Sequence, residues 1–211
     1  MSSAGDQGEA PDQKYYVILY NDTQMVYGIK ALLNPHTGRP AFCAGQPNPL
    51  GGSPHQGEDA DATLRREVGE ETAGTFELLG DCQSFFHPEP GFEFFHSNQF
   101  VQRGLVWPSD LQRMQMGKDA REFCWIAVAS KDDFLDHQSM TVYDIGQRLL
   151  DIAWNQGRNR YGSRQIGRIP SRGKKGYLGS HSSEAFARFI TLWFSGALPI
   201  GGPAMVVNPL Q

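Results

Sequence analysis

The segment from Glu58 to Thr72 constrains this chain most. Asp59 and Asp61 stand where a helix N-terminus favours acids, Leu64 and Val68 recur four residues apart, and Gly74 offers a stop. The spacing predicts a helix over about Ala60–Thr72. On that helix Glu67, Glu70 and Glu71 project within roughly 100° of arc. Three like charges so close repel one another, at a cost of roughly a few tenths of a kcal/mol per pair. Arg66 offers one compensating charge, and a divalent cation offers a better one, because carboxylate oxygens are hard donors suited to Mg2+ or Mn2+. The plainer alternative is a solvated acidic face.

The wider spacing favours the metal. Gly52, five residues, Glu58, seven residues, and then Arg66-Glu67-Val68-Gly69-Glu70-Glu71 resembles the Nudix box, in which G, five residues, E and seven residues precede R-E-U-x-E-E-x-G-U, with U bulky and aliphatic. The resemblance spans residues 52–74 and meets seven of nine defined positions: Gly52, Glu58, Arg66, Glu67, Val68, Glu70 and Glu71. Ala73 stands where the second Gly belongs and Gly74 where an aliphatic residue belongs, as though the helix ended one residue later. The resemblance implies an α/β Nudix fold, a mixed β-sheet sandwiched between α-helices, and hydrolysis of a nucleoside diphosphate linked to another group. By position it makes Glu67, Glu70 and Glu71 the metal ligands, with Mg2+ as the cofactor and Mn2+ as a substitute. Arg66 would orient a Glu through charge-assisted hydrogen bonds. Glu58 would be an auxiliary ligand or structural partner, and Gly52 would let the loop backbone approach the helix.

The substrate is less legible. Pro90 lies sixteen residues after Gly74 and precedes Gly91, a turn that resembles the one in the ADP-ribose pyrophosphatase branch, with Glu89 in place of the usual Ser. That resemblance points to ADP-ribose or a nucleotide-sugar and makes Pro90 and Gly91 substrate-binding candidates. Asp119 and Glu122 are candidates for a later carboxylate that helps activate water, against a reading as solvated loop acids. Nucleoside triphosphates, capped RNA and other diphosphates remain alternatives, as does a domain that binds a nucleotide or a protein without hydrolysis, for which the altered Ala73-Gly74 end is the ground. Tyr15, Phe86, Phe92, Phe94, Trp107 and Trp125 could stack a base, though aromatics of this kind are more often core. His55 lies in the box loop, and His87 and His96 flank the Pro90 turn.

Around this motif the 211 residues read as one domain. Residues 1–13 are polar and predict a disordered leader. Strands are expected at Lys14–Tyr20 and Met25–Leu33, paired as a hairpin across Asn21-Asp22. Residues 34–57, dense in Pro and Gly, predict loop with one short strand near Ala41–Ala44. Phe76–Phe86, Phe92–Gln102 and Glu122–Ala129 read as further strands. Helices are expected at about Thr141–Asn155 and about 183–195. Between these helices Arg158, Arg160, Arg164, Arg168, Arg172, Lys174 and Lys175 form a run without acids. The segment 156–180 is expected to be a basic Gly-rich loop, either a lid over phosphates, an RNA contact or an exposed connector.

Composition sets the outer limits. The formal net charge of -4 argues against a general polyanion binder, and 39% hydrophobic residues support a buried core. No run of 18 apolar residues occurs, so no membrane span is expected. Cys43, Cys82 and Cys124 lack metal or disulfide spacing, which fits reduced thiols in a cytoplasm. The apolar end at 195–210 could pack across a homodimer or cover its own core.

Overall fold

The computed structural model describes residues 13–34, 37–41, 43–98, 123–161, 181–198 and 204–206. Residues 1–12 of the expected leader, Asp119, Glu122, Trp107 and most of the basic segment lie outside these residues.

The fold is α/β, with a mixed sheet between helices, as expected. The first strand, β1, spans Lys14–Tyr20, and β2 spans Gln24–Lys30. They pair antiparallel through Leu19–Val26 and Tyr20–Met25. The turn between them is set by Asn21, whose Oδ1 accepts from the backbone N–H of Thr23 (2.9 Å) and Gln24 (2.7 Å). β2 ends three residues before the expected Leu33, and Leu33 instead makes an isolated bridge to Pro40. The short strand expected at Ala41–Ala44 is a turn, with the Ala44 N–H bonded to the Ala41 carbonyl (3.2 Å) and Cys43 at φ +55°. Pairing comes later in that segment, in β3 (Pro47–Asn48) on β2 and β4 (Leu50–Gly52) on β1.

The helix α1 runs Ala60–Glu71, with Asp59 as N-cap accepting from the Ala62 N–H at 2.8 Å. It ends where Ala73 (φ +49°) and Gly74 (φ +73°) both turn left-handed, and the Gly74 N–H closes on the Gly69 carbonyl at 2.7 Å. Ala73 therefore sits in a conformation that glycine adopts without steric cost. Ala73→Gly is expected to stabilise the fold by about 1 kcal/mol, read as a higher urea midpoint at unchanged slope.

The single strand expected over Phe76–Phe86 is two. β5 (Phe76–Leu78) pairs antiparallel with β9 (Ala204–Val206) in a separate two-stranded sheet, and β6 (Gln83–Phe86) pairs with β7 (Phe92–Asn98) in the main sheet. Arg65 of α1 donates to the carbonyls of Leu78, the last residue of β5, and of Gly80 in the connection. β7 runs parallel to β1, and β8 (Phe123–Ser130) runs antiparallel to β2. Two 3-10 turns, Lys131–Phe134 and His137–Ser139, lead to α2 (Val142–Tyr161). A reciprocal cap starts α2: Thr141 N–H donates to Asp144 Oδ2 (2.9 Å) and Asp144 N–H to Thr141 Oγ1 (3.2 Å). α2 extends six residues beyond the expected Asn155, since the single Gly157 is a weak break and Arg158 and Arg160 are good helix formers. The last helix, α3, spans His181–Ser195.

α1 covers one face of the sheet with buried Leu64 and Val68. The opposite face meets α2 and α3. There the Tyr27 hydroxyl donates to the Leu149 carbonyl (2.7 Å), and Tyr20 packs edge-on against Phe189 and Trp193. His96 lies on this second face, fully buried between Tyr20 and Phe85, without a hydrogen-bond partner on either ring nitrogen among the described residues. Burial pushes its imidazole down to about 4, so the ring is neutral near pH 7 and acts as core. Phe94 and Trp125 are core as well. Among the described residues, no helix is long and apolar enough to cross a membrane, and the three cysteines are free thiols.

Candidate active site at the acidic helix

One guanidinium organises the acidic face of α1. Arg66 donates to both oxygens of Glu58, from Nε at 2.9 Å and Nη2 at 3.0 Å. Its Nη1 reaches Glu67 Oε1 at 2.8 Å and Glu70 Oε2 at 3.3 Å, and Nη2 also donates to the Ser53 carbonyl at 3.0 Å. The resemblance implied that Arg66 would hold one Glu. The structure gives it three, and so offsets the repulsion that the helix would otherwise bear.

Glu58 is fixed from the loop side too. The His55 N–H donates to its Oε2 at 2.8 Å, and the Thr63 hydroxyl lies 3.3 Å from the same atom. Arg66 first, then the His55 amide, holds the Glu58 carboxyl down at about 2. A carboxyl more acidic when folded than when unfolded stabilises the fold above its ordinary value of 4.5 and loses that contribution as pH falls towards 2. Glu58→Gln is therefore expected to lower stability by a constant amount from pH 7 down to about 4.5, with the gap closing towards pH 2. Chemical denaturation at pH 7 and pH 3 checks this.

Glu71 is held by the backbone of β4 instead. Glu71 is 2% exposed, and its carboxylate accepts from the Gly51 N–H at 2.7 Å. Gly51 is the participant that sequence reasoning missed. Its φ is +132°, and a Cβ there would lie 2.2 Å from the Tyr15 carbonyl oxygen. The adjacent Gly51-Gly52 pair was the visible signal, but only Gly52 belonged to the motif. At Gly52 a Cβ would lie 2.5 Å from Glu67 Oε1 and 2.7 Å from Glu67 Cδ, so the bare backbone makes room for that carboxylate.

The three expected metal ligands are thus held by different partners. Glu67 and Glu70 lie on Arg66, and Glu71 is turned into the β4 loop. Among the described residues no group of three His, Cys, Asp or Glu side chains is drawn together to hold a metal. The donor chemistry nevertheless fits a hard divalent cation, since these side chains offer only carboxylate oxygens. A cation would share Glu67 and Glu70 with Arg66.

The Pro90-Gly91 turn lies on the other side of β1. Gly91 takes φ +97°, and its carbonyl accepts from the Lys14 N–H at 2.8 Å, which ties the turn to the start of β1. Glu89 in that turn meets His181 Nε2 of α3 at 2.7 Å. His55 is exposed and faces Glu58 at 3.8 Å.

No family model matches the sequence, and no curated protein matches it. Similar solved structures include a mutT/nudix family protein from Listeria innocua (19% identity, 59% of this chain and 80% of that one, TM-score 0.35). They also include a MutT protein from Methanosarcina mazei Go1 (17% identity, 72% and 99%, TM-score 0.38) and a MutT/nudix family protein from Enterococcus faecalis (16% identity, 92% and 84%, TM-score 0.34). The first and last of these carry the name of the superfamily that the box resembles. At such scores they lend nothing to the reading of individual residues, which rests on the geometry above.

Proposed function

We propose that this chain is a divalent-metal-dependent pyrophosphohydrolase of the Nudix type, cleaving the diphosphate of a nucleoside diphosphate linked to another moiety. The observation that carries the reading is the fixed placement of three carboxylates by three separate devices. Arg66 holds Glu67 and Glu70, the Gly51 N–H holds Glu71, and the side-chain-free Gly52 accommodates the Glu67 carboxylate. A solvated acidic face needs none of these.

Glu67, Glu70 and Glu71 would hold Mg2+ or Mn2+. When bound, the cation would neutralise phosphate oxygens and acidify a water for attack on phosphorus. The chain's own part is positional. Arg66 keeps Glu67 and Glu70 from swinging apart, and Glu58 braces Arg66 through two parallel bonds. Gly51 keeps the Glu71 carboxylate against the loop.

ADP-ribose or a nucleotide-sugar is the substrate class favoured within this reading, on the Pro90-Gly91 turn. Its support is the Gly91–Lys14 bond, which sets the turn two strands from Gly52 across the sheet. The test is incubation with ADP-ribose, nucleotide-sugars, nucleoside triphosphates and capped RNA in Mg2+, in Mn2+ and in chelator. ADP-ribose plus water is expected to yield AMP and ribose 5-phosphate with metal only, and not with Glu71→Gln. Turnover confined to triphosphates or capped RNA would replace the substrate assignment, and tight nucleotide binding without turnover would replace the enzyme.

A further inference from the structure

Strand register brings another group to the acidic helix. Tyr15 of β1 is the register partner of Gly52 on one side and of Glu93 on the other. Side chains at matched positions of neighbouring strands share a face. The position Gly52 would fill with a Cβ is occupied by the Glu67 carboxylate, so that face is the α1 face. Gly52, Tyr15 and Glu93 therefore form a row leading away from Glu67, two strand spacings or about 10 Å long. Tyr15 is half-buried, steadied edge-on by Phe95 at 6.1 Å. Glu93 is partly exposed, and His87 Nε2 lies 3.9 Å from its Oε1 and 2.9 Å from the Ser84 hydroxyl.

We propose that Tyr15 and Glu93 form the subsite for the uncharged end of the substrate, with Glu93 accepting hydrogen bonds from hydroxyl or amino donors and Tyr15 flanking the bound group. The inference rests on the diphosphate reading of α1. Its logic is electrostatic. A diphosphate is anionic and is repelled by Glu93, so it belongs at the other end of the row, where a divalent cation held by Glu67 and Glu70 would offset the carboxylates. What extends over Tyr15 towards Glu93 must bring donors and no negative charge, which describes a sugar or a base edge. Ser84 and His87 limit the rotamers open to Glu93 and lower the entropy lost on binding.

The experiment is equilibrium binding with Mg2+ of inorganic pyrophosphate and of ADP, GDP, CDP and UDP, to the wild type, Glu67→Gln, Glu93→Gln and Tyr15→Leu. The wild type is expected to prefer the nucleotides over pyrophosphate. Glu93→Gln is expected to shrink that preference about tenfold, the loss of one charge-assisted hydrogen bond. Equal affinity for the four nucleotides assigns the ribose to Glu93, and unequal affinity assigns the base. Glu67→Gln should weaken all ligands together. A nucleotide preference identical in the wild type and Glu93→Gln overturns the subsite. Absent pyrophosphate binding alongside nucleotide binding that depends on Glu93 would instead overturn the diphosphate reading and leave the subsite standing. A Tyr15→Leu loss confined to the nucleotides supports the flanking role, and an equal loss for pyrophosphate contradicts it.

Discussion

Gly51→Ala is expected to cost about 3–4 kcal/mol of stability, the largest effect of any single exchange around the acidic helix. The new Cβ would lie 2.2 Å from the Tyr15 carbonyl oxygen and 2.8 Å from Tyr16 Cα, and both obstacles are backbone atoms of the central strand β1. They can retreat only by opening the β1–β4 pairing. The φ of +132° adds strain that any side chain would suffer. Displacing the loop would also withdraw the Gly51 N–H from a Glu71 carboxylate that has almost no access to water. Gly57→Ala separates the causes. Gly57 has φ +86° with nothing within 4 Å of a Cβ, so only the backbone strain of about 1 kcal/mol should appear. Urea denaturation of both variants reads the difference, and equal losses would mean that the contact with β1 is relieved without cost.

Gly52→Ala should do the reverse, sparing the fold and damaging catalysis. Here the obstacle is the end of a flexible side chain, the Glu67 carboxylate at 2.5–2.7 Å, which can rotate away. Stability is expected to change by less than about 1 kcal/mol. The carboxylate, however, must shift by a large part of an ångström, and misplacement on that scale costs roughly a hundredfold in rate. Steady-state cleavage of the best substrate, measured over a range of Mg2+ concentrations, should show lower kcat and a higher metal requirement. An unchanged rate would mean that Glu67 does not need its present position.

Much of this arrangement was legible in the sequence, and the failures have physical causes. α1 was readable because its cap, its apolar spacing and its acids all agree, and β1 because five of its seven residues are aromatic or β-branched. The Phe76–Phe86 segment misled because hydrophobicity continues through Leu78 and Leu79, while the chain turns at Gly80-Asp81, where Arg65 of α1 binds the Leu78 and Gly80 carbonyls. The short strands β3 and β4 have no periodicity of their own and exist because β1 and β2 pair with them. At the site, the spacing identified Glu58, Arg66, Glu67, Glu70 and Glu71 as one cluster. It did not show that Glu71 bonds the Gly51 amide, since helical position fixes the direction of a Cβ and not the rotamer beyond it. Glu93 was invisible for another reason, because its relation to Gly52 exists only through the register of β1 with two partners.

The most direct measurement is a Mn2+ titration followed by electron paramagnetic resonance, with and without a methylene-bridged ADP analogue. The wild type should bind the ion, most tightly with the analogue present, and Glu67→Gln and Glu71→Gln should each lose most of that affinity while remaining folded. Equal Mn2+ affinity in all three proteins would mean that these carboxylates serve only as ion-pair partners of Arg66 and the loop, and that the site performs no metal-assisted hydrolysis.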